Sequence, residues 1–516
     1  MVYNGPSRGC HMCRKRRIKC DETKPACNRC IKSGRNCPGF RQELGLVSHM
    51  EIAAELKTAR YATKDTIIPS TLRPPFEDQA ACYFMSNFVL NPTLGGAPGF
   101  MNFLTLLRTM NHVPKHFEYA FDACTLAFLN NREDSRNIFE KEALGKYAKA
   151  LSATFSALRD PELAKQDVTL ASVLLLGLFE QIAPTSMSWS ALGSHIEGAY
   201  HLAMTRGDEQ LRTNIGLEMF ISVRSRMIIV NLLSSKHLAL DVDWQINDMV
   251  DRDPTFKVQQ LSLMVGELRS EANRLLTNST HSSVHVNKVF DLLRRCQAHE
   301  VVCENWARTL PEIYQFKLAA WEDNVPNGDY TKAEVYPGRV DAYQSLSVVH
   351  MWNIVRCARL ALASIIVRCA AWKSAPIDYR KTEEYSASVR TCSAIITDII
   401  ASVPYQLGWF SKRQDLLHEK GKFSTFECGE DNVQKGLGGY MATMPLVCVV
   451  MQDYTTTVQR IWAHGRLHHI GSHLGIRSSH SFAQLNVRMP SMLICRNGII
   501  ASPCPPITDI DQLLTT

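Results

Sequence analysis

A chain of 516 residues has room for about three or four domains, and its 45% hydrophobic and 21% charged residues exclude a wholly disordered, collagenous or small disulfide-knot protein. Its net charge of +7 is unevenly placed: residues 1–41 hold 11 Lys and Arg against Asp21 and Glu22, a local +9, which leaves the other 475 residues at −2. A polyanion-binding module joined to a near-neutral body is the arrangement these numbers point to.

Six of the 17 cysteines fall between Cys10 and Cys37. Residues 1–20 lack the apolar run of a secretory signal, so an oxidising compartment is not expected and the clustered thiols read as metal ligands. Two residues separate Cys10 from Cys13, six lead to Cys20, six more to Cys27, two to Cys30 and six to Cys37, which is one CxxC-x6-C unit written twice. Tetrahedral zinc takes four ligands, so six thiolates fill two sites only if two of them bridge; pseudo-symmetry nominates the first cysteine of each half, Cys10 and Cys27. Two zinc ions and six thiolates sum to −2, offset by the basic side chains around them. The expected cofactor is therefore two Zn2+ per chain, held by Cys10, Cys13, Cys20, Cys27, Cys30 and Cys37. Large apolar side chains are few here besides Ile18, Ile31 and Phe40, so metal stands in for a core. His11, inside the first CxxC, reads as solvent-facing rather than as a ligand.

The run from Cys10 to Phe40, with Arg14-Lys15-Arg16-Arg17-Ile18-Lys19-Cys20-Asp21, Lys24-Pro25, Cys27-Asn28-Arg29-Cys30 and Gly34 to Phe40, closely resembles the fungal zinc binuclear-cluster (six-cysteine) transcription factors. The resemblance implies double-stranded DNA as partner, a short helix just after Cys13 that enters the major groove, and a CGG-type triplet as target. Carried over by position, Arg17 and the backbone of Arg16 touch bases, Arg14 and Lys19 hold phosphates, and Lys15 completes the basic run; Pro25 shapes the loop between the halves. An Arg fork suits guanine O6 and N7, and the basic neighbours supply salt-dependent affinity. Where many members carry a further Lys or Arg after the third cysteine, this chain has Asp21 and Glu22, which weakens the case for a phosphate contact there. The continuation Cys37-Pro38-Gly39-Phe40-Arg41 resembles filamentous-fungal members, many of which regulate secondary-metabolite gene clusters. That implies a pathway-specific activator of a biosynthetic cluster, with regulation of primary carbon or nitrogen metabolism as the alternative.

Residues 42–75 read as a linker. Leu46, Met50, Ala53 and Leu56 supply fewer than the three heptads a coiled coil needs, and Pro69, Pro74 and Pro75 forbid a continuous helix. Weak or monomeric DNA binding is thus expected of residues 1–75 alone, with a homodimer left open. From Phe76 to about Ser479 apolar positions recur three and four apart, which predicts a large all-α body. Trp189, Leu192, Ile196, Ala199 and Leu202 form one stripe, and Val348 to Val367 is apolar nearly all round. The segment Trp189 to Gly207 is similar to a helix of the fungus-specific regulatory domain that follows such clusters, which implies a regulatory stack of helical pairs; His195 within it reads as a packed histidine.

Val168 to Phe179 and Leu437 to Met451 are too short to span a bilayer and read as buried helices, so no membrane partner is expected. His464, His468, His469 and His473 have helical spacing, but no carboxylate or thiol completes a metal site, and they read as a polar face. Cys357, Cys369 and Cys448 sit in apolar runs as small hydrophobes. No phosphate loop, dinucleotide fingerprint or nucleophile elbow occurs, so no catalytic residues are expected and the chain is not read as an enzyme. Asn278-Ser279-Thr280 fits a glycosylation pattern without a secretory context. Residues 480–516 lack a helical period and are expected to be a poorly ordered tail. The domain reading is thus 1–41 zinc cluster, 42–75 linker, 76–479 all-α regulatory domain and 480–516 tail. The functional reading is a nuclear, sequence-specific DNA-binding regulator of RNA polymerase II transcription, acting with the transcription machinery. The rival is a metabolite-binding or enzymatic helical protein with an accessory zinc finger.

Overall fold

The computed structural model describes residues 9–38, 75–92, 99–131, 137–183, 189–233, 254–276, 283–416, 426, 434–484, 495–496 and 499–500. The linker segment Leu44 to Arg60 and Asn278-Ser279-Thr280 lie outside these. The chain divides into two compact units, Met1–Arg73 and Pro74–Thr516, each taken by itself below.

In the first unit two five-residue helices, α1 (His11–Lys15) and α2 (Asn28–Lys32), each open on the first cysteine of a CxxC pair. In the second unit the helices α3 (Phe76–Phe88), α4 (Phe103–Arg108), α5 (Lys115–Asn130), α6 (Glu140–Leu158), α7 (Pro161–Ala164), α8 (Asp167–Ile182), α9 (Trp189–Arg206) and α10 (Asn214–Leu233) come first. Then follow α11 (Pro254–Leu276), α12 (Ser283–Thr309), a hairpin of β1 (Lys317–Glu322) and β2 (Gly338–Ala342), α13 (Leu346–Ser374), α14 (Glu383–Gln406), α15 (Gly436–Met451), α16 (Thr457–His473) and α17 (Ser478–Gln484). A last short pair, β3 (Cys495–Arg496) and β4 (Ile499–Ile500), is antiparallel.

Helix α5 packs between α3, α6 and α8, and its Phe128 meets Tyr83, Phe84 and Phe88 of α3 with ring centroids 4.8 to 6.4 Å apart. The apolar stretch over α8 is buried on nearly every side, as its sequence predicts. Helix α13 is the central rod. Ser345 caps its start by accepting the Val348 N–H, and α11, α12, α14 and α15 surround it. Its polar side chains near Asn353 are joined to one another: Asn353 donates to Ser402 (3.0 Å) and Gln406 (3.1 Å), while Arg356 donates to Asn353 (3.0 Å) and Tyr343 (2.9 Å), leaving Nη2 of Arg356 and Nε2 of Gln406 buried without a hydrogen-bond partner.

Three features depart from the sequence reading. The body is not purely helical: β1 and β2 pair antiparallel from Lys317 opposite Ala342 to Glu322 opposite Gly338, with a bulge between Leu318 and Ala320. Most of β1 is solvent-exposed or half-buried, so no clean alternation of apolar and polar residues marks it. Helix α17 carries the fold past Ser479 to Gln484, because Phe482 is buried. Finally, α14 is the described helix long and apolar enough to cross a membrane, although the sequence reading nominated α8 and α15. Half of its apolar window is buried, with Ile395, Ile396, Ile399 and Ile400 in the core cluster. Pro445 does not break α15, which runs through it.

Two glycines test this packing. A Cβ on Gly438 of α15 would stand 2.0 Å from the Gln406 carbonyl oxygen, whereas one on Gly145 of α6 would meet nothing within 4 Å. Gly438→Ala should therefore cost about 1 to 3 kcal/mol, and Gly145→Ala should stabilise by up to about 1 kcal/mol. Opposite shifts of the helical melting transition in the full chain check both.

Candidate metal centre and nucleic-acid interface

Each CxxC pair is organised by a helix start. Cys10 sits at the N-cap of α1 with extended backbone, and its sulfur accepts the Cys13 N–H at 3.4 Å; Cys27 holds the same position before α2. One helical turn then carries the second cysteine of each pair back beside the first. Cys10, Cys13, Cys27 and Cys30 are at most 1% exposed, with Met12 and Ile18 packed half-buried against them.

The sulfurs of Cys10 and Cys27 are 3.6 Å apart, Cys13 and Cys27 3.7 Å, and Cys10 and Cys30 3.8 Å. Four sulfurs at about 2.3 Å from one zinc stand about 3.8 Å from each other, so these spacings fit tetrahedral thiolate coordination. Two ligand sets result, Cys10, Cys13, Cys20, Cys27 and Cys10, Cys27, Cys30, Cys37, each with sulfurs mutually within 4.8 Å. The residues common to both are Cys10 and Cys27. Burial pushes the Cys13 thiol up to about 12 and raises Cys27 and Cys30, so thiolates there need cations beside them. At Cys20 burial acts in the same direction, but N–H groups of Cys10 and Glu22 outweigh it and the thiol is lowered. The donor set, spacing and electrostatics fit a binuclear Zn2+ cluster.

The helix expected after Cys13 starts before it and stops at Lys15, so Arg16 and Arg17 lie on the turn that ends α1. Arg16 is the C-cap, and Arg17 takes a left-handed backbone with φ of 53°. The Ile18 N–H bonds the Cys13 carbonyl (3.1 Å) and the Arg17 N–H bonds that of Arg14 (3.1 Å), closing a Schellman turn. The second half repeats the turn: the Arg35 N–H bonds Cys30 (3.0 Å), the Gly34 N–H bonds Ile31 (3.0 Å), and Gly34 has φ of 62°. Where the second half uses glycine, the first uses arginine. Lys15, Arg16, Arg17 and Lys19 are exposed and Arg14 is half-buried; His11 is exposed too. Exposed Arg29, Lys32 and Arg35 on the second half extend the basic surface.

Asp21 has a role that spacing alone did not disclose. Its carboxylate accepts the Thr23 hydroxyl (2.6 Å) and the N–H groups of Asn28 (3.0 Å) and Arg29 (3.2 Å), so it caps α2 from outside the helix. The Thr23 hydroxyl and these amides hold its carboxyl well below the usual range. The readable signal was an acid one residue past the third cysteine, facing a helix start that opens on Cys27 and offers no cap of its own. The Lys24–Pro25 bond in this loop is cis.

In the body, His195 is half-buried with Nε2 3.0 Å from a Glu180 carboxylate oxygen that also accepts the Tyr147 hydroxyl at 2.7 Å, a partnered packing histidine. The side chains of Trp189 and Leu192 lie outside the described residues, while Ile196, Ala199 and Leu202 of the same stripe are buried. His464 and His469 are half-buried and His468 and His473 exposed on α16, where His469 is pushed down to about 4 by burial. Among the described residues, no metal-ligand group of three or more includes these histidines. Cys357, Cys369 and Cys448 are buried, as their apolar surroundings predict.

Residues 8–45 match the fungal Zn(2)-Cys(6) binuclear cluster domain. Among curated proteins the chain is 36% identical over 64 residues to "Transcriptional regulatory protein moc3" of Schizosaccharomyces pombe, covering 12% of this chain and 13% of that protein. It is 21% identical over 276 residues to "Transcription factor dbaG" of Emericella nidulans, covering 53% and 60%, which reaches into the helical body. To "Aspercryptin biosynthesis cluster-specific transcription regulator atnN" of the same fungus it is 57% identical over 32 residues, or 6% and 5%. The chain thus matches at most 60% of the length of these relatives. No solved structure matches it. Residues 8–45 thus form a module that matches the fungal Zn(2)-Cys(6) binuclear cluster domain, and a large, predominantly helical domain follows it along the chain.

Metal analysis of the full chain should return two zinc ions, and Cys20→Ala should lose metal; a single zinc in the unaltered chain would refute the shared-sulfur arrangement. Asp21→Ala should release zinc to a chelator several-fold faster, with Asp21→Asn intermediate because it keeps an acceptor oxygen.

Proposed function

We propose that the protein is a nuclear, sequence-specific regulator of RNA polymerase II transcription that reads CGG-type triplets in double-stranded DNA through its zinc cluster. All six cysteines ligate the two zinc ions, with Cys10 and Cys27 bridging. Arg17 and the backbone of Arg16 meet the bases, and Arg14, Lys15 and Lys19 engage phosphates. The observation that carries the base-reading role is the pair of matched turns. A left-handed backbone costs an arginine what it does not cost Gly34, and the first half keeps Arg17 there nonetheless. That strain points to a role for the side chain, and an exposed guanidinium beside a basic run is suited to guanine in a major groove.

Arg17→Gly separates the two roles, since glycine relaxes the turn and removes the fork. Zinc retention should hold or improve, while binding to a CGG site should weaken by about 1 to 3 kcal/mol with specificity at the guanines relaxed. Arg14→Ala should weaken binding to all sequences alike. Quantitative binding to CGG and scrambled duplexes at fixed salt checks this; equal losses on both for Arg17→Gly would remove the base-reading role.

The pathway reading is a specific activator of a secondary-metabolite gene cluster, supported by the Cys37 to Arg41 continuation and by the name of the relative atnN. Deleting the gene should lower transcripts of a contiguous biosynthetic locus with CGG elements in its promoters. A response spread over unlinked nutrient-use genes favours the primary-metabolism alternative.

A further inference from the structure

Five of the chain's 17 histidines, His464, His468, His469, His473 and His480, lie between residues 464 and 480, and no Asp or Glu stands between Asp453 and Asp509. The structure brings these imidazoles to the joint between α16 and α17. The His480 ring lies over Gly471 of α16, where an added Cβ would stand 2.6 to 2.9 Å from three of its atoms. The rings of His468 and His480 meet edge to face with centroids 4.7 Å apart, and Nε2 of His480 is 3.4 Å from the Ser472 hydroxyl oxygen. His464 bonds the Ala483 backbone, while His469 and His473 stack at 4.6 Å.

We propose that this joint is an acid-released latch: α17 docks on α16 while the His468 and His480 rings are neutral, and leaves it when both are protonated. Two cationic rings at this separation repel, and the charged groups around them are cations too: Arg460, Arg466, His469 and His473 on α16, and Arg477 just before α17. From α8 the group facing α17 is Gln181, which accepts the Ser478 hydroxyl (2.8 Å), and from α15 it is Thr443, whose hydroxyl meets that of Ser479 (2.8 Å). The acids of α8 are engaged elsewhere, Asp167 by Arg206 and Glu180 by Tyr147 and His195. On α15, Tyr440 rests on Phe100 and the Cys448 thiol bonds Cys357. After α5, Asn131 accepts from Arg477 (3.2 Å) and carries no charge. Burial holds His464, His469 and His480 below the usual imidazole range, His469 at about 4. A histidine held low in the folded chain contributes stability above its unfolded value and loses it as pH falls, so α17 loosens below about pH 6.5. The latch belongs to the helical body and does not depend on the DNA-binding reading.

Hydrogen exchange of the full chain, followed on peptides spanning residues 478–484 and corrected for intrinsic rates, should show α17 opening about tenfold more at pH 5.5 than at pH 7.5. Peptides of α14, which carries no histidine, serve as the reference, because buried His116 and His350 weaken the body as a whole on acidification. His468→Gln combined with His480→Gln should keep α17 docked at both pH values. His480→Phe should do the same, since it keeps a ring over Gly471 without a titrating nitrogen. The proposal fails if residues 478–484 are equally protected at both pH values, if α14 loosens in step with α17, or if neither variant removes the acid response. It fails also if both variants are undocked already at pH 7.5, which would make ring packing rather than charge the hold on α17.

Discussion

Cys10 and Cys27 bring their sulfurs within 3.6 Å, and little else joins the two halves of the N-terminal module. Five-residue helices do not persist alone, and only Met12 and Ile18 pack beside the thiols. Two zinc ions sharing these sulfurs, as proposed above, would fix α1 against α2 and, through the turn after Lys15, the direction in which Arg16 and Arg17 leave the cluster. The geometry proposed to face DNA is therefore a product of coordination chemistry. Asp21 adds a polar strut, tying the loop after the third cysteine to the start of α2, and the Asn28 amide donating to the Thr23 hydroxyl adds another. An acid in a basic module is thereby explained: its charge is committed to amides rather than set against a phosphate.

The helical body rests on burial instead. Around α13 lies a largely apolar surface, and within it a short polar chain links two helices: Arg356 reaches Asn353, and Asn353 reaches Ser402 and Gln406 on α14. Such a network tolerates burial only when its members are placed together, so it sets the register of α13 against α14 more sharply than the isoleucines around it can. Close backbone approach at Gly438 to the end of α14 extends the same constraint to α15.

The legible parts of this architecture were those in which residue type and spacing are forced by chemistry. Thiol spacing disclosed the ligand sets because few arrangements let six sulfurs serve two metals. Apolar runs disclosed α8, α13 and α15 because a helix buried on nearly all sides carries few polar residues to interrupt the run. The hairpin escaped because β1 is exposed over much of its length, and burial is what imposes alternation. The ends of α1 and α17 escaped for another reason: a capping sulfur at Cys10 and a buried Phe482 are tertiary facts, and periodicity in a five- or seven-residue helix cannot report them. The left-handed turn at Arg17 escaped likewise, because arginine carries no sign of a positive φ that its counterpart Gly34 adopts freely.

Periodicity also says that a helix has an apolar face without saying what covers it. In α6 the inner face is small because its neighbours are large and close: Phe179 of α8 stacks on Tyr147 at 4.3 Å, and Lys146 reaches back to Asp122 of α5 at 2.7 Å. Those contacts fix the rotation of the helix and leave its leucines no inward position.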